Sequence, residues 1–209
     1  MAMSNPIRVL CVDDHPLMRD GIAFALQSQK DMELVGQAVD GEEALRLFRD
    51  LRPDVTLMDL QMPGMNGIAT IEAIRDEFPK ARIIVLTTYS GDVQAARSLR
   101  AGAVGYLLKS MLRNELIGTI RTVHAGRRHI PPEIASELAE YMTADALSSR
   151  EVEVLRSIAA GHSNKIVADE LAIAEDTVKG HMKNILSKLG ASDRTHAVLI
   201  AMKRGFLDS

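Results

Sequence analysis

Five polar side chains in the first 110 residues stand where short apolar runs stop. Ile7–Val12 runs into Asp13 and Asp14, Val55–Met58 into Asp59, Ile83–Leu86 into Thr87, and Gly105–Leu108 into Lys109. Carboxylates held close together repel, and one takes up a proton unless a cation neutralises the group. A hard divalent ion that keeps several waters and accepts one or two carboxylates answers that need, which describes Mg²⁺. One carboxylate is then free to attack a phosphoryl group as a nucleophile and form an acyl phosphate. The charge spread over the transferred group's oxygens is met by the metal and a lysine. Asp59 suits the phosphoacceptor, Asp13 and Asp14 the metal, Thr87 a phosphate oxygen and Lys109 the counter-charge. Singly, each has an ordinary role: an Asp after a strand caps or turns, and a lone lysine is solvated. Their joint placement at matching run ends favours the chemistry.

The elements that must bring them together are legible in the same stretches. Short, continuous, β-branched-rich runs separated by longer helical patterns read as buried parallel strands of an α/β domain. In an open parallel sheet the ligand crevice lies beyond the carboxyl ends of the strands. After Asp59, the turn-rich Leu60-Gln61-Met62-Pro63-Gly64-Met65-Asn66-Gly67 opens the space above the sheet.

These motifs resemble the receiver domain of two-component response regulators across residues 7–125. The resemblance rests on Val12-Asp13-Asp14-His15, Leu57-Met58-Asp59-Leu60-Gln61-Met62-Pro63, Leu86-Thr87-Thr88 and Gly105-Tyr106-Leu107-Leu108-Lys109. It implies a flavodoxin-like, doubly wound, five-stranded parallel sheet, with Asp59 accepting phosphate from a sensor histidine kinase. It also implies Mg²⁺ held by Asp14, Asp59 and the backbone carbonyl of Gln61, with Asp13 acting largely through water. Thr87 and Tyr106 become the switch pair, and Thr88 and Lys109 help to hold the phosphate. One departure is that Ser110 follows Lys109 where many receivers have proline.

Composition sets outer bounds. A chain of 209 residues fits two modest domains, and 46% hydrophobic with 25% charged residues is ordinary for a globular protein. No apolar stretch approaches the ~20 residues of a membrane span, and Met1–Asn5 lacks signal-peptide character, so a cytoplasmic protein without a membrane role is expected. Cys11, the only cysteine, reads as a small core residue in a reducing compartment. Residues 148–209 carry 9 Lys+Arg against 8 Asp+Glu, so any nucleic-acid reading rests on where the lysines sit.

From Leu147 the strand signals give way to four helical patterns. Ser148 and Glu151 fit a capping box, with Leu147 and Val152 as a hydrophobic staple and Gly161 as a stop. Ser163 can cap a second helix that buries Ile166, Val167 and Leu171. After a turn at Ala172-Ile173-Ala174, Val178, Met182, Ile185 and Leu189 share one face of a third helix. Ser192 can cap a fourth, with Ala197, Val198 and Ala201 inward and Gly205 at its end. Thr177, Lys179, Gly180, Lys183 and Asn184 lie opposite or beside the apolar stripe of the third helix. That pattern suits insertion into a DNA major groove, with Ser163, Asn164 and Lys165 holding phosphates. Helix-turn-helix geometry also occurs in proteins that never touch DNA, and a paired lysine is usually a solvated face.

The fuller string is similar to the LuxR-type helix-turn-helix module. It runs through Leu147–Leu155, Gly161-His162-Ser163-Asn164-Lys165-Ile166-Val167-Ala168, Thr177–Ile185 and Arg194-Thr195-His196-Ala197-Val198. A receiver joined to such a module resembles the NarL/FixJ class. That implies a transcription factor acting on double-stranded promoter DNA and RNA polymerase, with a phosphorylation-promoted homodimer and contacts near Val198 and Ala201. Ala174 stands where the class usually has a capping Ser or Thr, at a cost of about 1 kcal/mol. Gly180 either permits close approach to DNA or removes one base contact. The expected layout is a receiver over 1–125, a linker with a short helix over 126–145 and an all-α four-helix DNA-binding domain over 146–209. A phosphatase using Asp59 in turnover, or a helical half that binds protein, are the alternative readings.

Overall fold

In the first half, three of the four apolar runs form the middle of one sheet and the fourth one of its edges, because both faces of the sheet are covered. The computed structural model describes residues 5–88, 91–143 and 147–207. Residues 1–4, where the N-terminal expectation falls, and 144–145 of the expected linker lie outside these. The described residues fall into two compact units, one drawn from 1–89 and 95–132, the other from 90–94 and 133–209.

The strands are β1 (Ile7–Val12), β2 (Met32–Ala38), β3 (Val55–Asp59), β4 (Ile83–Thr87) and β5 (Gly105–Leu108). They lie in the order β2-β1-β3-β4-β5, and every pairing is parallel. This is the flavodoxin-like doubly wound order expected from sequence. Every residue of β3 and β4 is buried, as continuous apolar runs require. β2 was not among the apolar runs. It is an edge strand carrying Glu33, Gly36 and Gln37, and polar residues are what a sheet edge tolerates.

Helices α1 (Pro16–Gln27), α2 (Gly41–Leu51), α3 (Gly67–Glu77), α4 (Asp92–Ala101) and α5 (Leu112–His124) alternate with the strands. The core on one sheet face joins Val9, Cys11, Leu57, Ile84 and Leu107 to Ile22 and Leu26 of α1 and Leu116, Ile120 and Val123 of α5. Burial, reinforced by Asp13, pushes the Cys11 thiol up to about 12, so it packs as an inert small residue. The outer edge of β5 is not bare. Tyr106 N–H donates to His129 O (2.8 Å), and His129 N–H donates to Val104 O (3.1 Å). The segment after α5 thereby pairs with the last strand. Ser110 lies in a 3₁₀ turn, Lys109–Met111, that leads directly into α5.

The helical elements are α6 (Pro132–Thr143), α7 (Ser149–Ala159), α8 (Asn164–Glu170), α9 (Glu175–Leu189) and α10 (Arg194–Arg204). α6 starts at Pro132, where a missing N–H costs nothing. The Ser148–Glu151 capping box forms on α7, and Gly161 adopts φ +89° beyond its end. Val154, Leu155, Val167, Val178, Ile185, Leu189 and Ala197 close the core of the last four helices. Two expectations are corrected. Ile166 is 45% exposed, because Val167 and Ala168 are the residues α8 turns inward. The cap of α10 is Asp193, whose carboxylate accepts from His196 N–H at 2.8 Å, while Ser192 lies one residue outside the helix. No helix among the described residues is long and apolar enough to cross a membrane.

Candidate functional site

β1 lies between β2 and β3, the point where the winding of the sheet reverses, and a crevice opens there beyond the strand ends. Val12 pairs with Met58, so one residue further on Asp13 stands level with Asp59. Both are buried, at 0% and 2% exposure. Lys109, delivered by the end of β5, reaches between them. Its Nζ is 2.7 Å from Asp59 Oδ2 and 2.8 Å from Asp13 Oδ2. The contact with Asp59 is a hydrogen bond. The contact with Asp13 is a close ion pair whose oxygen accepts no aligned hydrogen bond.

Local geometry fixes the carboxylates. Asp13 Oδ1 accepts from the backbone N–H of His15 (2.9 Å), and Arg19 donates to the Asp13 carbonyl (2.7 Å). Asp59 Oδ1 accepts from Gln61 N–H at 3.2 Å. Asn66 caps α3 by accepting from Ala69 N–H at 3.0 Å. Gly67 opens that helix directly over the end of β3, where a Cβ would lie 2.1 Å from the Asp59 carbonyl oxygen. Only glycine lets the helix approach this closely.

Burial pushes the Asp59 carboxyl up; Lys109 and the Gln61 N–H offset this in part, and Asp13 adds to it. Burial pulls the Lys109 ammonium down, but the negative charge of Asp13 and Asp59 against it outweighs that and holds it above its usual value. One buried cation thus serves two buried anions, and a second cation is electrostatically favoured.

The donor set fits one. Asp13, Asp14, His15 and Asp59 each place a ligand atom within 4.8 Å of the others. Asp13 Oδ2 and Asp14 Oδ1 are buried and accept no hydrogen bond among the described residues. Sequence reasoning missed His15, whose Nδ1 lies 2.7 Å from Asp14 Oδ1; its place directly after Asp14 was the available signal. Thr87 and Tyr106 are both buried, while Thr88 is exposed. Thr87 pairs with Leu108 and Tyr106 with Val85, so Thr87 and Tyr106 are diagonal neighbours on one face of the sheet.

A second candidate site lies on α9, whose packed face holds Val178, Ile185 and Leu189. Thr177, Lys179, Gly180, Lys183 and Asn184 are exposed, as expected. A side chain at Gly180 would meet open space, so packing does not require the glycine. Ala174 provides no side-chain cap; Glu175 and Asp176 supply negative charge to the first turn instead. Asp176, which sequence reasoning passed over, accepts a 2.9 Å hydrogen bond from Lys179. Ser163 caps α8, with Lys165 exposed and Asn164 half-buried. The expectation that Ala201 is a dimer contact is corrected. It is wholly buried in the unit's own core, with Val198 packed against the same cluster. Leu199 and Met202 are the exposed apolar residues of α10.

Comparison with known proteins joins the two sites. Residues 9–121 match a family described as the response regulator receiver domain, and residues 145–201 match bacterial regulatory proteins of the LuxR family. The uncharacterized transcriptional regulatory protein YxjL of Bacillus subtilis is 40% identical, over 97% of this chain and 98% of its own. The transcriptional regulatory protein LiaR of the same organism is 41% identical, over 93% and 96%. RcsB of Salmonella enterica serovar Typhimurium has been solved bound to promoter P1flhDC in the presence of phosphomimetic BeF₃⁻. That structure is similar with a TM-score of 0.74 at 27% identity, over 95% of this chain and 99% of that one.

Proposed function

Because the chain belongs to the response regulators that join a receiver domain to a LuxR-type DNA-binding module, and so regulates transcription by binding DNA, we propose that phosphorylation of Asp59 is its switch. The observation that carries this reading is the cluster itself. A buried Asp59 at the sheet's switch point shares one lysine with Asp13, and Asp14 adds a third carboxylate with a ligand atom within 4.8 Å of theirs.

The donor is a phosphohistidine on a sensor kinase. An Asp59 carboxylate oxygen forms the new O–P bond while the P–N bond breaks, and the donor imidazole leaves with the electron pair. Asp13, Asp14 and Asp59, with the Gln61 carbonyl, would hold Mg²⁺, which when bound supplies positive charge to the phosphoryl oxygens. Lys109 transfers its charge from the carboxylates to the new phosphate, and the Thr87 hydroxyl turns to a phosphate oxygen. Thr88 borders that oxygen's position. Tyr106 occupies the volume Thr87 leaves, which links the phosphate to the surface of β4 and β5.

In this reading, residues 1–125 are the receiver, 126–145 the linker and 146–209 the DNA-binding domain. Thr177, Lys179, Gly180, Lys183 and Asn184 enter the major groove, and Ser163, Asn164 and Lys165 hold phosphates. A homodimer forms on promoter DNA through the exposed face of α10 at Leu199 and Met202, and engages RNA polymerase in the cytoplasm. The test is labelling of the full chain by acetyl phosphate with Mg²⁺. Asp59→Asn abolishes it, and Asp13→Asn weakens it without moving the site. A fully labelled Asp59→Asn variant, or a phosphoryl group mapped to another residue, defeats the proposal.

A further inference from the structure

The outward stripe of α9 begins one turn earlier than Lys179. Asp176, Gly180, Lys183 and Ser187 recur at three- and four-residue spacing on the side opposite Val178, Ile185 and Leu189. Asp176 heads that stripe with its side chain 89% exposed, and it holds Lys179 Nζ at 2.9 Å. Glu175 sits nearer the packed side at 51% exposure, and its carboxylate is 3.9 Å from the same ammonium. Gly180, one turn below Asp176, leaves open space where a side chain would stand.

In a helix laid in the major groove, the N-terminal residues are those that reach base edges. An aspartate there is costly against phosphate and favourable only against a base edge that offers an amine donor, either cytosine N4 or, less well because the N7 acceptor sits beside it, adenine N6. The cytosine N4 amine is a donor that a carboxylate accepts, whereas guanine presents acceptors that repel it. Lysine has the complementary preference for guanine O6 and N7. At Gly180 no side chain stands between the helix start and a groove floor, which favours a close approach.

We propose that Asp176 is a specificity-determining residue: it accepts from a cytosine N4 amine while the lysine it holds, Lys179, addresses the neighbouring guanine. This rests on the reading of α9 as the recognition helix. The pair selects a C/G-containing step and repels other sequences, and Asp176 lowers the affinity for DNA at large. Its charge also keeps Lys179 from acting as an unconditional phosphate anchor.

The experiment selects binding sites from random duplexes with the full-length, acetyl-phosphate-treated protein, its Asp176→Asn variant and its Glu175→Gln variant. Each variant removes one first-turn carboxylate, so both lose comparable helix-dipole stabilisation. The expected result is that Asp176→Asn loses a cytosine preference at one position of each half-site. It also binds non-selected duplex about tenfold more tightly, while Glu175→Gln retains the parent motif. An unchanged motif for Asp176→Asn overturns the proposal, as does the same loss in both variants, which marks a general charge effect. If the parent protein enriches no motif at all, the reading of α9 fails first, and the two failures are thereby distinct.

Discussion

Lys109 and Asp59 are 50 positions apart in the chain, yet Lys109 Nζ donates to Asp59 Oδ2 at 2.7 Å with both side chains almost fully enclosed. The same ammonium lies against Asp13, so a single positive charge holds two buried carboxylates side by side.

Removing that charge leaves an uncompensated anionic pair. Lys109→Ala is expected to cost about 3 kcal/mol of receiver stability, the scale for breaking a buried ion pair. Added Mg²⁺ should restore part of the loss, since the cluster then has another cation. Urea unfolding with and without the metal checks this; a variant as stable as the parent in metal-free buffer shows that the pair is energetically idle.

Thr87 and Tyr106 lie diagonally across β4 and β5, both buried. Thr87→Ala should still be phosphorylated at Asp59 but lose most of the phosphate-dependent gain in DNA affinity. A ~10-fold gain corresponds to about 1.4 kcal/mol of coupling. Titration of labelled and unlabelled protein against an operator duplex measures it, and equal gains in parent and variant rule this pair out as the coupling element.

Lys183 lies exposed on α9, one turn from Lys179. If Lys183 reads a base, Lys183→Ala weakens operator binding about tenfold or more and relaxes the choice at one position. If it only neutralises a phosphate, all sequences weaken evenly and the salt slope falls by about 1. Binding isotherms at several salt concentrations separate the two. Affinity unchanged in the Lys179→Ala, Lys183→Ala double variant removes α9 from the interface.

Glu151 ties the base of the helical unit together. Its buried carboxylate accepts from Ser148 N–H (2.7 Å) and from Lys188 Nζ (2.8 Å). Burial pushes its carboxyl up, but Lys188 and Ser148 more than reverse that and leave it below the usual value. The folded state therefore holds this proton less tightly than the unfolded chain. Its stabilisation is fully present above the unfolded value of ~4.3 and drains away as pH falls through the lower folded value. Glu151→Gln should cost about 1–2 kcal/mol at pH 7 and flatten that acid limb. Scanning calorimetry from pH 3 to 7 gives both readings, and parallel curves for parent and variant contradict the assignment.

The sequence by itself determined which polar residues stand at the strand ends: Asp13, Asp14, Asp59, Thr87 and Lys109. Each follows a run whose apolar, β-branched character is a local signal, and strand ends in a parallel sheet converge by rule. The capping box at Ser148 and Glu151 and the apolar stripe of α9 were legible for the same reason, since both depend on spacing within one element. Tertiary structure decided what depends on partners far along the chain. β2 escaped notice because an edge strand needs no apolar run, and its place is set by pairing with β1. Gly67 looks like any turn glycine until α3 is set so close to β3 that a Cβ would lie 2.1 Å from the Asp59 carbonyl oxygen. Ala201 and Leu199 are both apolar residues of one helix; only the packing of α10 onto the module core buries the first and leaves the second 61% exposed. Asp176 reads as an ordinary first-turn acid, and becomes part of a base-reading proposal only because the fold turns it outward beside Lys179. Spacing within an element fixes which residues share a face, whereas the free energy of packing one element on another fixes which face is left for function.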